Sequence, residues 1–260
     1  MALGPFDPSR ARILVTNDDG IHAPGLKVLT HIARSLSKDV WVVAPETEQS
    51  AVAHSLTLRR PLRLRKLGPR RFSVDGTPTD CVLIAAHKVL AEHPPDLVLS
   101  GVNDGGNLAE DVTYSGTVAA AMEGALLGLR AVALSQVRPP SGPTRYGVAE
   151  QFAPAVLRDL AGSAWPKEVL MNINFPACAP EAVTGVVACR QGRRDVGTLV
   201  HDGQDPGGRP YLWIGNFQSD ETRETKTDLA AIGQDAIAVT PLHLDLTHRA
   251  TLKQIAAALS

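Results

Sequence analysis

The sequence contains Arg12-Ile13-Leu14-Val15-Thr16-Asn17-Asp18-Asp19-Gly20, in which a short apolar strand leads directly into two adjacent carboxylates. Strand side chains alternate between faces, so Asp18 and Asp19 point together only if the strand has ended, and Gly20 permits the turn. A hard divalent cation would relieve the repulsion between the two charges. The alternative is capping of a helix that begins near Pro24, although one cap needs only one aspartate.

Strand and helix patterns alternate through the first half of the chain. Short apolar runs occur at 13–16, 40–44, 97–99 and 131–134, and apolar residues recur at helical spacing over 26–36, 79–91 and 117–127. This order predicts an α/β fold with a doubly wound, mainly parallel sheet. Ligands of such sheets bind beyond the carboxyl ends of the strands, where the polar stretches 17–20, 45–50 and 100–107 are expected.

The second half of the chain has a looser pattern. Further elements are predicted as a helix at 146–160, strands at 169–173, 183–189 and 236–240, and a closing helix at 247–259. The polar, glycine-punctuated span 191–228 contains a short aromatic strand at 211–214 and is typical of a projecting hairpin or a mobile loop. A basic run is interpreted as the solvated face of a hairpin, with attraction of anionic substrates as the alternative, and it comprises Arg59, Arg60, Arg63, Arg65, Lys66, Arg70 and Arg71.

The amino-acid composition disfavours nucleic-acid-binding and membrane-spanning proteins. Hydrophobic residues make up 44% and charged residues 20% of the 260 residues, with a net charge of -1, so a nucleic acid partner is disfavoured. The three cysteines, Cys81, Cys178 and Cys189, lack metal-ligand spacing and indicate a reducing compartment. Because no apolar run is long enough to span a bilayer and no signal-like segment is evident, we expect a cytoplasmic protein without membrane association.

Four oxygen-bearing side chains are expected at one edge of the sheet. Asp18 and Asp19 follow the first strand, Ser50 follows the second, and Asn103 follows the third within a glycine-rich turn. Each of these residue types is also common in ordinary turns. Together they form a set of hard ligands that favours Mg²⁺, Mn²⁺ or Ca²⁺ over zinc and leaves coordination positions for water and substrate.

Ser115-Gly116-Thr117 opens an alanine-rich helix. The free backbone N–H groups at a helix N-terminus attract anions, and the two hydroxyl groups add further donors, so the segment could hold a phosphate. Simple N-capping by Ser115 or Thr117 is the alternative interpretation. His22 and His54 are the histidines nearest in sequence to these groups and are candidate proton donors, although surface or packing roles are common for single histidines.

Several ordered blocks make the chain resemble the SurE family of stationary-phase survival proteins. The blocks run from Ile13 to Thr247: Val15-Thr16-Asn17-Asp18-Asp19-Gly20-Ile21, Ala44-Pro45 with Gln49-Ser50, Gly76-Thr77-Pro78-Thr79-Asp80-Cys81-Val82, Ser100-Gly101-Val102-Asn103, Tyr114-Ser115-Gly116-Thr117-Val118, Asn172-Ile173-Asn174-Phe175-Pro176 and Thr240-Pro241-Leu242. The chain departs from the family pattern at Ala51, where members often carry glycine.

The resemblance implies a Rossmann-like catalytic core over 1–190. It implies that 191–260 supply an extended hairpin used in oligomerisation and a strand and helix that complete the core. The site residues it implies are the metal ligands Asp18, Asp19, Ser50 and Asn103, of which Asp18 and Asp19 are also catalytic, and the phosphate-pocket residues Asn107, Ser115, Gly116 and Thr117. One divalent ion per subunit is implied, Mg²⁺ or Mn²⁺, with Ca²⁺ a further candidate in crystals.

The implied activity is metal-dependent hydrolysis of nucleoside monophosphates by a homodimer or tetramer, acting on 5'-nucleotides with 3'-nucleotides left open. The alternatives are a non-catalytic nucleotide-binding regulator and a broad-specificity phosphatase or exopolyphosphatase. A dinucleotide-dependent oxidoreductase is disfavoured because no Gly-x-Gly-x-x-Gly follows the first strand. A kinase or ATPase is disfavoured because the sequence has no phosphate-binding Gly-x-x-x-x-Gly-Lys-Ser/Thr loop.

Overall fold

A computed structural model describes residues 2–194, 200–215 and 225–259. The strands are β1 Ala2–Leu3, β2 Arg12–Thr16, β3 Asp39–Pro45, β4 Leu64–Gly68, β5 Arg71–Val74, β6 Leu97–Asp104, β7 Arg130–Gln136, β8 Trp165–Pro166, β9 Val169–Phe175, β10 Gly185–Ala188, β11 Val200–Gln204, β12 Pro210–Ile214 and β13 Ala236–His243. The helices are α1 Pro24–Leu36, α2 Pro78–Ile84, α3 Gly116–Leu126, α4 Gly147–Ala161, α5 Asp228–Gly233 and α6 Arg249–Leu259. Among these described helices, none has the length and apolarity required to cross a bilayer.

Nine strands form the central sheet, in the order β10-β13-β9-β7-β6-β2-β3-β5-β4. The six strands from β9 to β5 run parallel to one another, β13 is antiparallel to β9, and β4 is antiparallel to β5. The predicted mainly parallel α/β sheet is therefore confirmed. Parallel strands that follow one another through helices end at the same edge, so β2, β3 and β6 deliver their following loops to one place.

Helices cover both faces of this sheet. On one face, α1 packs through fully buried aliphatic side chains such as Leu29 and Ile32 against β2 and β6, and α4 packs against α1. On the other face, α3 packs through small residues, including Ala120 and Ala121, against Leu14 and Val98, and α2 packs beside α3. Small side chains let α3 approach the sheet closely, which brings its N-terminus to the edge where β2 ends.

Strand β6 is longer than its apolar run indicates. We predicted a strand at 97–99 followed by a polar loop, whereas the strand continues to Asp104. Val102 is fully buried, and Asn103 and Asp104 pair with Ser135 and Gln136 of β7. The expected loop position of Asn103 is therefore wrong, because pairing with a neighbouring strand overrides the turn preference of an Asn-Asp-Gly sequence.

Helix α2 is shorter than predicted over 79–91. It begins at Pro78, where Thr77 and Asp80 form a reciprocal capping box, and it ends at Ile84. A wider π-helical turn then continues the chain over Ala85–Val89. The predicted helices 26–36, 117–127 and 146–160 correspond to α1, α3 and α4 within one or two residues of each end.

The C-terminal quarter extends the sheet and adds exposed elements. Strands β10 and β13 join the nine-stranded sheet, whereas β11 and β12, within the described ranges, form a separate two-stranded hairpin. Leu212, Trp213 and Ile214 of this hairpin are exposed, and α6 has no buried side chain. Two parts of the predicted projecting span, 195–199 and 216–224, lie outside the described residues.

The basic run predicted as a hairpin face lies on β4, β5 and the segment before them. These two strands pair antiparallel at the edge of the sheet, as expected for a hairpin. Arg60 and Arg63 face the Asp75 carboxylate, and Arg65 is bound by Glu46. Several charges of the run are therefore neutralised locally.

Gly25 fixes the distance between α1 and β6. A Cβ atom at this position would lie 1.9 Å from the Val102 carbonyl oxygen, far inside van der Waals contact. We expect Gly25→Ala to lower the free energy of unfolding by about 3 kcal/mol or more, because neither backbone can yield easily. Thermal unfolding measures the effect, with Gly4→Ala as the control, since nothing lies within 4 Å of a Cβ there. Equal melting temperatures in the two variants would contradict the packing described.

Candidate active site

Asp18 and Asp19 lie where β2 ends, on a tight loop that is fixed by a hydrogen bond to its own backbone and by contact with the loop after β3. The side-chain amide of Asn17 donates to the Gly20 carbonyl at 3.0 Å, and Gly20 has a φ of +99°. A Cβ at Gly20 would lie 3.2 Å from the Thr47 carbonyl carbon. Glycine is thus favoured here both by its backbone conformation and by the approach of the loop after β3.

Asp18 is 5% exposed and lies against the N-terminus of α3. The Thr117 hydroxyl donates to its Oδ1, and a Cβ at Gly116 would lie 3.0 Å from its Oδ2. Burial raises the pKa of Asp18, and hydrogen bonds from Thr117 oppose that rise by favouring the ionised form. The positive end of the α3 dipole acts in the same direction as these hydrogen bonds.

Asp19 is a second carboxylate with a perturbed pKa. Burial, followed by repulsion from Asp18, raises the pKa of Asp19 to about 7, while the Asp104 backbone N–H donates to its Oδ2 at 3.3 Å. Such a carboxylate gains most from a nearby positive charge, because the charge would remove both the desolvation cost and the repulsion. The pair therefore has the electrostatics expected of a cation site.

Asn103 presents an oriented amide and precedes Asp104, whose backbone N–H contacts Asp19. Its Nδ2 donates to the Gly105 carbonyl at 2.9 Å, which leaves the carbonyl oxygen Oδ1 available as a ligand. The adjacent Asp104 accepts hydrogen bonds from Arg138 at 2.7 Å and Thr144 at 2.5 Å. Sequence reasoning missed these last three residues. Asp104 was within the quoted motif, but Arg138 and Thr144 lie in a loop without a recognisable pattern.

The loop carrying Ser50 packs against Asp18. The Gln49 backbone N–H donates to the Asp18 carbonyl at 2.8 Å, while the Ser50 hydroxyl is exposed and donates to Glu48 Oε1 at 2.7 Å. The Glu48 charge also raises the pKa of both aspartates. Ala51 has a φ of 58°, so alanine occupies a left-handed conformation that favours glycine.

The proposed phosphate residues have different surroundings. Ser115 caps α3, because its Oγ accepts from the Val118 N–H at 3.0 Å, so the capping alternative is observed for this residue. Asn107 is buried, donating from its amide to Ser135 at 2.7 Å, and its backbone carbonyl accepts from Asn172 and Asn174. These two asparagines of β9 therefore hold the loop before α3. The sequence analysis did not predict this role, although residues two apart in a strand lie on the same face.

Several buried polar atoms near the end of β2 have no hydrogen-bond partner among the described residues. They include Thr16 Oγ1, Asn17 Oδ1 and, on the neighbouring β6, Ser100 Oγ. Thr16 and Ser100 are paired directly across the two strands. Unsatisfied buried oxygens are uncommon in folded proteins and are typical of sites that hold water, an ion or a ligand.

The donor set fits a hard divalent cation. Two carboxylates, an oriented amide oxygen and a nearby hydroxyl are the oxygen ligands that Mg²⁺ and Mn²⁺ prefer. Within the described ranges, no group of three or more His, Cys, Asp or Glu side chains is placed to hold a metal ion. A site here would therefore depend on Ser50, Asn103 and solvent in addition to the two aspartates.

Of the two candidate histidines, His54 has a defined partner. Its Nε2 lies 2.9 Å from Glu123 Oε2, on a side chain of α3 that is largely buried. His22 is exposed on the turn before α1. The contact with Glu123 gives His54 a structural role that its sequence position does not reveal.

The fold and this site define a class: a doubly wound α/β protein with an acidic, oxygen-rich site at the carboxyl edge of its parallel sheet. A family model described as Survival protein SurE matches residues 13–198. The chain belongs to the SurE family.

Relatives extend the match over nearly the whole chain. It is 55% identical over 249 residues to the protein of Paramagnetospirillum magneticum named 5'-nucleotidase SurE, with 96% of each chain covered. It is 54% identical over 255 residues to the protein of the same name from Rhodospirillum rubrum, with 97% of each covered. A crystal structure of the SurE protein from Aquifex aeolicus superposes with a TM-score of 0.84 at 38% identity, covering 95% of this chain and 99% of that one.

Proposed function

We propose that this protein is a metal-dependent 5'-nucleotidase that hydrolyses nucleoside monophosphates to nucleoside and phosphate, with 3'-nucleotides as further substrates. The observation that carries the proposal is the pair Asp18 and Asp19, whose pKa values are raised at the edge of the sheet where such folds bind ligands. Similarity to relatives named 5'-nucleotidase SurE supports the substrate class.

We propose one divalent ion per subunit, Mg²⁺ or Mn²⁺, with Ca²⁺ as a substitute in crystals. Asp18, Asp19, Ser50 and Asn103 would hold it, and the Ser50 hydroxyl would turn from Glu48 to do so. When bound, the ion would supply Lewis-acid polarisation of a phosphoryl oxygen and of the attacking water. Burial raises the pKa of Asp19 to about 7 when no cation is near, so cation binding competes with its proton near and below that pH.

The residues at the start of α3 would position the phosphoryl group. Backbone N–H groups at Gly116 and Thr117 carry the positive end of the helix dipole, and the Ser115 hydroxyl can still donate its proton while it caps the helix. The Thr117 hydroxyl orients Asp18 through its hydrogen bond. Asn107 supports this arrangement because its hydrogen bonds fix the loop that precedes α3. Positioning and charge stabilisation are the main requirements of phosphoryl transfer.

We further propose a homo-oligomer, a dimer or a tetramer, assembled through the hairpin of β11 and β12. Leu212 and Ile214 are exposed on one face of this hairpin and Trp213 is exposed on the other, and exposed apolar side chains grouped in this way favour association. In the proposed division, the catalytic core covers 1–190 and the hairpin and last elements belong to 191–260.

Phosphate release from a panel of 5'- and 3'-nucleoside monophosphates, with Mg²⁺ or Mn²⁺ and with a chelator, tests the proposal. We expect release that depends on the added cation and that is lost in the chelator, because two carboxylates repel a phosphate unless a cation lies between them. A non-catalytic regulator with the same pocket would bind nucleotides without releasing phosphate. Cleavage of a chromogenic ester or of polyphosphate alone would instead indicate a broad-specificity phosphatase or exopolyphosphatase.

A further inference from the structure

A groove with a volume of about 850 Å³ lies between α1 and the turn that joins β4 to β5. It forms because α1 covers β2 and β6 but leaves the α1 side of the edge strands uncovered. Its floor is apolar, made by Ile21, Leu26, Val40 and Val42, all at most 5% exposed. The volume falls within the range of about 300–1,000 Å³ that is typical of small-molecule sites.

The walls of the groove are strongly basic. They carry Lys27, His31, Arg34, Lys38, Arg70 and Arg71, and no Asp or Glu is found among the lining residues in the described part of the chain. Lys27, His31 and Arg34 follow one another at intervals of four and three residues, so they share one face of α1. Lys27 and Arg34 thus place two positive charges two helical turns apart on this face, where an external anion would be attracted by both.

Only part of the positive charge that lines the groove is paired with a carboxylate in the described part of the chain. Arg60, Arg63 and Arg65 face local carboxylates, and Arg70 lies 3.2 Å from Asp39. Among the described contacts, by contrast, no ion pair involves Lys27 or Arg34. The Arg71 guanidinium donates to the Ile21 carbonyl at 2.6 Å, which fixes one wall next to the loop that carries the aspartates.

We propose that this groove is an anion site, separate from Asp18 and Asp19, for a small molecule that carries two or more linked phosphate groups. Arginine and lysine side chains are the usual ligands of phosphate, and several on facing walls suit a chain of phosphates better than a single one. The apolar floor offers a surface for an organic part of the ligand. The inference does not depend on the proposed nucleotidase activity, because it rests on the charge and shape of a groove whose lining includes neither aspartate.

Calorimetric titration in the presence of a chelator tests the site, with ATP and inorganic tripolyphosphate as probes. We compare the full-length protein with a Lys27→Glu, Arg34→Glu variant and a charge-matched control, Lys88→Glu, Arg10→Glu, at exposed positions elsewhere. We expect saturable binding that weakens at least tenfold in the groove variant and less than twofold in the control. A milder Lys27→Gln, Arg34→Gln variant should show a smaller loss, and thermal unfolding should remain unchanged in all variants.

The two probes identify the ligand class. If ATP binds more tightly than tripolyphosphate, the nucleoside part contacts the apolar floor. If the two probes bind equally, the phosphate chain supplies the affinity. Both outcomes support the site. Three results would overturn it: neither probe binds the unmodified protein, the control loses as much affinity as the groove variant, or AMP displaces the probe by competing at the aspartate site.

Discussion

Asp19→Asn should abolish cation-dependent phosphate release while making the metal-free protein more stable. Loss of one carboxylate ligand lowers the affinity for the cation, and with the cation the protein loses the positive charge that would orient the reacting groups. We therefore expect at least about a 10³-fold fall in kcat. In the metal-free protein, however, the Asp19 carboxylate is buried beside Asp18 and costs stability whenever it is ionised. A steady-state assay and thermal unfolding in a chelator measure the two effects separately.

The sign of the stability effect follows from the raised pKa. In the unfolded chain Asp19 ionises near 3.8, whereas in the folded protein it keeps its proton to a pH of about 7. The metal-free wild-type protein should therefore lose stability as the pH rises through this window, and Asp19→Asn should lose less. At pH 8 we expect a gain of about 1–2 kcal/mol in the variant, below the full value of the shift because Asp19 is partly exposed.

Added Mn²⁺ should raise the melting temperature of the wild-type protein and leave that of Asp19→Asn nearly unchanged, since only the former keeps the ligand set. Glu92→Gln is a suitable control because it removes an exposed carboxylate outside the site. A variant that keeps near-normal turnover, or a metal-free variant that is less stable than the wild type, would refute the role given to Asp19.

Gly116→Ala should have the second largest effect, because it acts where α3 meets Asp18. A Cβ at Gly116 would lie 2.8 Å from Asp18 Cβ and 3.2 Å from Pro78 Cγ, so the start of the helix or the aspartate must move. Overpacking of this kind costs about 1–3 kcal/mol, and a displacement of about 1 Å at reacting groups can reduce turnover about 10²-fold. We expect a loss of about 10²-fold in kcat with the fold retained.

Gly147→Ala is a matched control, since Gly147 is also the first residue of its helix and a Cβ there would meet only Pro180 Cγ at 3.5 Å. Its kcat should stay within about twofold of the wild-type value, because an ordinary van der Waals contact requires no movement. Circular dichroism checks that both variants are folded. Full activity in Gly116→Ala would show that the approach of α3 to Asp18 does not matter for turnover.

The fold could be predicted from the sequence where local pattern and tertiary environment agree. The runs that became β2, β3 and β7 are largely apolar because both faces of a parallel sheet are covered by helices. The prediction was wrong for the end of β6, because the residue types of Asn103 and Asp104 favour a turn whereas both lie in the strand. Their partners Ser135 and Gln136 lie more than thirty positions away, beyond the reach of a local pattern.

The sequence by itself determined the α/β class, the two aspartates at a strand end and the helix that opens at Ser115, because each depends on neighbouring residues. Only the tertiary structure decided how those groups are used. Thr117 binds Asp18 across 99 positions, Ser115 caps its own helix, and burial together with repulsion raises the pKa of Asp19. Hydrogen bonding and desolvation depend on which chain segments meet in space, and no spacing along the chain specifies that meeting.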